Sequence, residues 1–301
     1  MSGMSDAPEW RFELSRLDGA YAPATMRSYR ADLDAFEAWC DVKGEIPFPA
    51  TVAVVCSFIE DEGRTKAPST VQRRLYAIRK MHRLLRMDDP TDDEEINLSL
   101  RRVKRRRSVR PKQAKGLTRQ YLARFLAAQP DSPIGVRNRA MLALGYDLLI
   151  RRSELIALTT HDLEEACDGS YRVLIRRSKS DQFGEGRLAF TSPQTATLLR
   201  TWLAVRGPEI EWLFCPVYKN RPINRGLSTT TVKRLIKQSA LRAGLSIAEV
   251  AEFSAHSLRV GAAQDLLYRG KDTTTIMRAG GWTSINVLAR YLKKAEHNVW
   301  T

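Results

Sequence analysis

Residues 101–115 read RRVKRRRSVRPKQAK and hold nine Lys or Arg. No hydrophobic core accepts such a run, because each unpaired cation withdrawn from water carries a large penalty. Pro111 also prevents one helix from passing through it. The chain therefore has to fold on either side. We expect one domain over residues 1–105, a basic connector over 106–116 and a second domain over 117–301. The connector has two readings, a nuclear-localisation patch or a segment that follows phosphates. Its place at a domain boundary favours the second.

The rest of the composition agrees with a polyanion partner. The formal charge is +15 and the pI about 9.9, so the field of the whole protein draws in nucleic acid first. A basic protein without such a partner is the plainer alternative. The first ten residues, MSGMSDAPEW, contain no apolar signal segment. The stretch Ala140 to Ile150 is too short to span a bilayer and contains Asp147. Cys40, Cys56, Cys167 and Cys215 lie far apart, and His82, His161, His256 and His297 lack ligand spacing. The pattern suggests neither a disulfide framework nor a metal site, and it fits reduced thiols in a cytoplasm.

Periodicity makes the first domain helical. Helices are expected over 24–43, 51–62 and 68–87, then an acidic turn over 88–95 and a further short helix. Val71, Leu75, Ile78 and Leu85 give the third helix its apolar face. His82 falls on that face and reads as a core residue rather than a ligand. Arg73, Lys80 and Arg83 lie on roughly the opposite face, either as a solvated surface or as groups that meet phosphates. In the second domain, Thr118 is a candidate cap for a helix containing Tyr121, Leu122, Phe125 and Leu126. An apolar helix over 136–150 delivers Arg151. Residues 171–190 read as a β-hairpin, with Val173 and Ile175 on one face and Gly184 and Gly186 near the turn. Ser246 and Glu249 suit a capping box. Gly270 and Gly280 suit helix stops.

Several dispersed residues suit attack on a phosphodiester. His256 and Arg259 share a helical face if that segment is helical, and Gly261, Ala262 and Ala263 favour its close packing. Alone, the pair would read as surface decoration. Arg151 needs a partner if buried, and Glu154 is a candidate. Two arginines can hold the nonbridging oxygens of one phosphate. Lys179 reads either as an ordinary loop lysine or as a proton donor to a departing 5′-alkoxide. Tyr291 is a core residue or a nucleophile whose ordinary pKa of about 10 must be overcome by nearby cations. Trp282 is core, or an indole donor to a phosphate oxygen.

The ordered set Arg151, Lys179, His256, Arg259, Trp282 and Tyr291 resembles the catalytic motif of tyrosine recombinases of the phage integrase family. HSLRVGAAQDLLYRG…IMRAGGWTSINVLARYL resembles in particular the Cre-like members. The segments ATMRSYRADLDAFEAWC and STVQRRLYAIRKMHRL extend the likeness to the first domain. The resemblance implies a mainly α fold with a small β-sheet or hairpin. It implies a clamp on DNA made of an all-helical core-binding domain and a mixed α/β catalytic domain. Arg151 and Arg259 would bind the scissile phosphate, Lys179 would be the general acid, and His256 would assist proton transfer. Trp282 stands where many members have histidine. Glu154 would support the site, and Tyr291 would form a 3′-phosphotyrosine bond.

DNA contacts would come from Thr25, Arg27, Arg73, Lys80 and Arg83 in the first domain. Arg105, Arg106, Arg107, Arg110, Lys112 and Lys115 would follow the backbone along the connector. Ser228, Thr230 and Lys233 would lie at the base-reading helix. Thr230 takes the place of an arginine in Cre-like members and cannot make its bidentate guanine contact, so the target differs. The last ten residues, LKKAEHNVWT, are short for a helix lent to a neighbour, with Val299 and Trp300 as its anchors. The implied partners are double-stranded DNA with inverted half-sites, a homodimer on each site and a homotetramer in the synapse. No cofactor or metal is implied. The implied location is a bacterial cytoplasm, on nucleoid, plasmid or phage DNA. A type IB topoisomerase or telomere resolvase would use similar chemistry. A non-catalytic architectural DNA-binding protein is the alternative from another class.

Overall fold

The computed structural model describes residues 10–106, 113–176, 186–293 and 295. Arg107, Arg110, Lys112, Lys179, Gly184, His297, Val299 and Trp300, named above, lie outside the described residues. The chain divides into two compact units, Met1–Pro111 and Lys112–Thr301.

The first unit is helical among its described residues. It contains α1 (Trp10–Ser15), α2 (Pro23–Lys43), α3 (Val52–Thr65), α4 (Pro68–Leu84) and α5 (Glu94–Arg106). Proline occupies the first turn of α2 and α4, where its missing N–H is not needed. The Thr51 hydroxyl caps α3 by accepting from the Val54 N–H at 3.3 Å. Gly44 ends α2 in left-handed backbone, φ 71°. Phe36, Phe58, Val55, Ile78 and Ile96 form the centre of the core, with Phe36 and Phe58 edge to face at 4.9 Å. Periodicity carries α4 to Met87, but the helix stops at Leu84 and Arg86 turns left-handed, φ 56°. The sequence reading missed α1, whose Trp10 and Leu14 join the core.

His82 is fully buried in this core. Its Nε2 accepts the Ala50 N–H at 3.0 Å, so Nδ1 is the protonated nitrogen that faces the Ile78 carbonyl at 2.9 Å. Burial holds the imidazole below its ordinary pKa.

The second unit opens with α6 (Arg119–Ala127), α7 (Pro133–Asp147) and α8 (Arg152–Ala157). A three-stranded antiparallel sheet follows, from β1 (Leu163–Glu165), β2 (Tyr171–Ile175) and β3 (Arg187–Phe190), in the order β1-β2-β3. Then come α9 (Pro193–Arg206) and a short pair, β4 (Val217–Tyr218) with β5 (Arg221–Pro222). The unit finishes with α10 (Thr229–Arg242), α11 (Ile247–Glu252), α12 (Ser257–Tyr268), α13 (Thr273–Gly280) and α14 (Ile285–Leu292). α7 is buried on nearly every side and forms the middle of the unit, packed by α6, α9 and α12. The expected hairpin is β2–β3, with Val173 opposite Ala189, and Val173 and Ile175 both face the core. The sequence reading missed its third strand, β1, where Leu163 pairs with Val173.

The mainly helical class with a small sheet is the one expected from the sequence. Three details differ. The apolar helix ends at Asp147 rather than residue 150, because Leu149 takes left-handed backbone, φ 46°. Thr118 precedes α6 without capping it, and the Asp265 carboxylate of α12 accepts the Arg119 N–H at 2.6 Å instead. Gly280 remains inside α13, and Gly281, φ 64°, is the left-handed stop. No described helix is long and apolar enough to cross a membrane.

Candidate active site

The site starts where α7 ends. Leu149, in its left-handed turn, presents its carbonyl to Nη1 of Arg259. The next turn places Arg151 just before α8. The Glu154 carboxylate accepts both the Arg151 N–H at 3.0 Å and its guanidinium Nη1 at 2.7 Å. Glu154 is buried, so the pair fixes the direction of the arginine as well as offsetting its charge.

Arg259 lies in the first turn of α12 and is 1% exposed. Close packing brings it there. A Cβ on Gly261 would fall 2.0 Å from the Leu117 carbonyl oxygen, so only glycine lets the 115–118 segment lie against the helix. The Leu117 N–H then donates to the Ser257 carbonyl at 2.8 Å. The Arg259 guanidinium sits 3.9 Å over the Trp282 ring and 5.5 Å from the Tyr291 ring centroid. Trp282 and Tyr291 meet edge to face at 5.0 Å. Trp282 reaches this position because Gly280 is bare, since a Cβ there would lie 2.0 Å from the indole.

Among the described residues, three donors in this cluster are buried without a hydrogen-bond partner: Arg259 Nε, Arg259 Nη2 and Trp282 Nε1. Each such orphan costs about 1–3 kcal/mol. Their concentration at one point marks a place built for an acceptor the protein does not supply. Burial, with Arg151 close by, pushes the Arg259 pKa down to about 10, still well above neutrality.

Tyr291 is half-buried in α14, with Leu288 beneath it. Its backbone carbonyl accepts Gln113 Nε2 at 2.8 Å and Gln264 Nε2 at 3.4 Å. His256 stands immediately before α12, with part of its surface open to solvent and the rest packed against protein atoms. Loss of surrounding water, then Arg152, Arg259 and Arg151, all push its pKa down and keep the ring neutral. A neutral imidazole can take a proton.

The expected DNA contacts fare unevenly. Thr25 and Arg27 lie on the first turn of α2, with Arg27 exposed. Arg73 and Arg83 are not free surface cations. Arg73 binds the buried Asp32 through two hydrogen bonds of 2.7 and 2.8 Å, and Arg83 pairs with Asp89 at 3.0 Å and Asp92 at 3.2 Å. Lys80 lies 5.2 Å over the Tyr21 ring. Arg105 and Arg106 are exposed at the end of α5, with Arg106 3.9 Å from Glu60. Lys115 pairs with Glu252 at 3.5 Å and covers the Tyr121 ring at 5.1 Å. Ser228, Thr230 and Lys233 are exposed at the start of α10.

Sequence reasoning missed Arg187. It is half-buried at the start of β3 and donates to the Leu148 carbonyl and to the Ala279 carbonyl, both at 2.7 Å. The signal was present. Alternation along β3 puts Arg187 on the same side as the buried Ala189, an unusual place for a cation.

Residues 115–298 match the phage integrase family, and residues 12–88 match its N-terminal SAM-like domain. The chain belongs to the phage integrase family. It is a site-specific tyrosine recombinase, an enzyme that cleaves and rejoins DNA strands. Recombinase Cre of Escherichia phage P1 is 27% identical, over 92% of this chain and 86% of its own length. Tyrosine recombinase XerD of Caulobacter vibrioides is 29% identical, over 98% and 95%. These identities do not favour the Cre-like branch over the Xer proteins. Among solved structures, a lambda integrase (75–356) dimer bound to a COC′ core site superposes with a TM-score of 0.64 at 17% identity, over 97% of this chain and 96% of that one. XerH bound to a palindromic difH substrate, a post-cleavage complex, gives 0.65 at 18%, over 88% and 75%. At such identities the shared property is the fold.

Proposed function

We propose that this recombinase cleaves one DNA strand by attack of the Tyr291 hydroxyl on a backbone phosphorus, forming a 3′-phosphotyrosine bond as the bond to the 5′ oxygen breaks. The reading is carried by the three orphan donors, on Arg259 and Trp282, beside the Tyr291 ring. A phosphate has acceptor oxygens of the charge they lack. Arg259 and Arg151 hold the two nonbridging oxygens, and Trp282 Nε1 donates to one of them. Glu154 keeps Arg151 aimed. The phenolic proton passes to the neutral His256, and Lys179 protonates the departing 5′ oxygen. The phosphoester energy stays in the tyrosine link. A 5′-hydroxyl of a partner duplex reverses the step, so exchange draws on no ATP.

We further assign residues 1–105 to core-site binding, 106–116 to the connector and 117–301 to catalysis. Arg27, Arg105, Arg106, Thr230 and Lys233 contact DNA in this reading. Arg73, Arg83 and Lys115 are left out because partners already engage them. A dimer occupies two inverted half-sites, and two such duplexes exchange strands in turn within a tetramer through a Holliday junction. Trp282 at a position that is histidine in many members aligns the site with the Cre-like branch. The enzyme acts in a bacterial cytoplasm.

Covalent trapping tests the chemistry. Nicked duplexes drawn from the DNA around the protein's own gene are mixed with the protein and denatured in detergent. Slow-migrating adducts are expected with the wild type and none with Tyr291→Phe, which still retains the DNA. Adducts that persist in Tyr291→Phe would falsify the nucleophile.

A further inference from the structure

Arg187 has no part in the cleavage steps above, yet its surroundings are not those of a structural arginine. Among the described residues it has no ion pair, and both of its listeners are backbone carbonyls. One of them, Leu148, stands three residues before Arg151 and directly before Leu149, whose own carbonyl holds Arg259. The other, Ala279, stands three residues before Trp282. A single guanidinium therefore joins the two backbone segments that carry the phosphate-facing groups. The fit is close. A Cβ on Gly281 would fall 2.8 Å from Arg187 Cδ, so the glycine that ends α13 also makes room for this side chain.

The charge matters as well as the hydrogen bonds. Burial, with the charge of Arg151 close by, pushes the pKa of both Arg187 and Arg259 down to about 10, and Arg187 also lowers Arg259. Both remain protonated at neutral pH. Glu154 is the carboxylate that acts on all of this, and it is already bonded to Arg151. Among the described residues the group thus holds three cations and one anion, an excess that a bound phosphate offsets. A pentacoordinate phosphorus carries one more negative charge than the diester that precedes it, so the excess favours that state over the ground state.

We propose that Arg187 is a positioning residue of strand cleavage, which locks the Arg151 and Trp282 segments together and adds positive charge to the phosphate pocket. The proposal rests on the phosphate reading of the site.

The test uses full-length protein on a nicked target duplex found by trapping, made in two forms. One has an ordinary scissile phosphate. The other has a methylphosphonate, which removes one negative charge. Arg187→Gln is expected to slow single-turnover cleavage of the phosphate about 100-fold, and of the methylphosphonate less than about tenfold. Arg187→Lys restores the charge without the two-pronged grip and is expected to lose less than about tenfold on either substrate. Equal losses on both substrates, or no loss, overturn the proposal and leave the arginine a packing element. Should Arg187→Gln fail to fold, Arg187→Lys decides: a loss beyond about tenfold, or one confined to the phosphate substrate, overturns it. Trapping that yields no wild-type adduct on any duplex refutes the proposed function instead, before Arg187 is tested, so the two failures are separable.

Discussion

Arg73 and Arg74 in the first unit and Arg187 and Arg259 in the second are held in opposite ways. In the helical N-terminal unit, inward-reaching guanidinium groups meet carboxylates. Arg73 takes both oxygens of the buried Asp32, and Arg74 pairs with Glu62 at 2.5 Å. Even Arg74 Nε, which has no hydrogen bond, lies 3.7 Å from Asp32. Arg79 and Arg83 share Asp89 and Asp92. In the catalytic unit, Arg259 and Arg187 donate hydrogen bonds only to backbone carbonyls among the described residues, and two Arg259 nitrogens have no hydrogen-bond partner there. A cation neutralised within the fold contributes to stability. In the proposed reading, a cation left without its anion is held ready for one that arrives from outside.

Breaking this contrast is most informative at its extremes. Arg259→Ala is expected to slow covalent adduct formation about 1,000-fold. Its unfolding free energy should stay within about 1 kcal/mol of the wild type, because a buried, largely unsatisfied group has been removed. A large stability loss in urea titration would show that Arg259 is structural. Asp32→Ala should do the reverse. It leaves two arginines facing an empty place and is expected to lower stability by about 2 kcal/mol, less than for a fully enclosed pair because Arg73 is half exposed. Cleavage per bound complex should be unchanged, and a drop in that rate with normal stability would erase the distinction.

The smallest effect concerns a neutral group that must stay neutral. His82 has its pKa lowered in the folded state by burial. The unfolded chain takes up a proton below about pH 6.5 that the folded unit refuses. Stability is therefore full above that pH and falls as acid is added, until the pH passes the lowered folded value. The slope approaches about 1.4 kcal/mol per pH unit. Urea midpoints between pH 7 and 5 should show it, and His82→Gln should flatten it. An unchanged slope in that variant would place the acid sensitivity elsewhere.

How much of this could be read from the sequence depends on the distance over which partners act. The cluster was legible because Arg151, Arg259, Trp282 and Tyr291 stand in an order that resembles the family's motif, although none is telling alone, and the fold brings Arg259, Trp282 and Tyr291 together. The pairing of Arg73 was not, because Asp32 lies 41 positions away and nothing local announces it. The left-handed turn at Leu149 was equally hidden. Leucine carries no signal for positive φ, and the turn is imposed by the contacts around it. Lys179 was legible as chemistry and lies outside the described residues. The shift of the helix stop from Gly280 to Gly281 has a spatial cause, since the first glycine is needed as the bare floor under an indole.

The hydrogen bond from Gln113 to the Tyr291 carbonyl spans 178 positions. It brings the first described residue of the catalytic unit against α14, the helix that carries Tyr291. In topological terms the unit is a nearly closed ring, with its seam beside the Tyr291 phenol. Linear order along the polymer is then incidental to the chemistry. A chain opened at the exposed Lys219–Asn220 turn and joined across the seam would list its residues in a different sequence and still describe the same pocket.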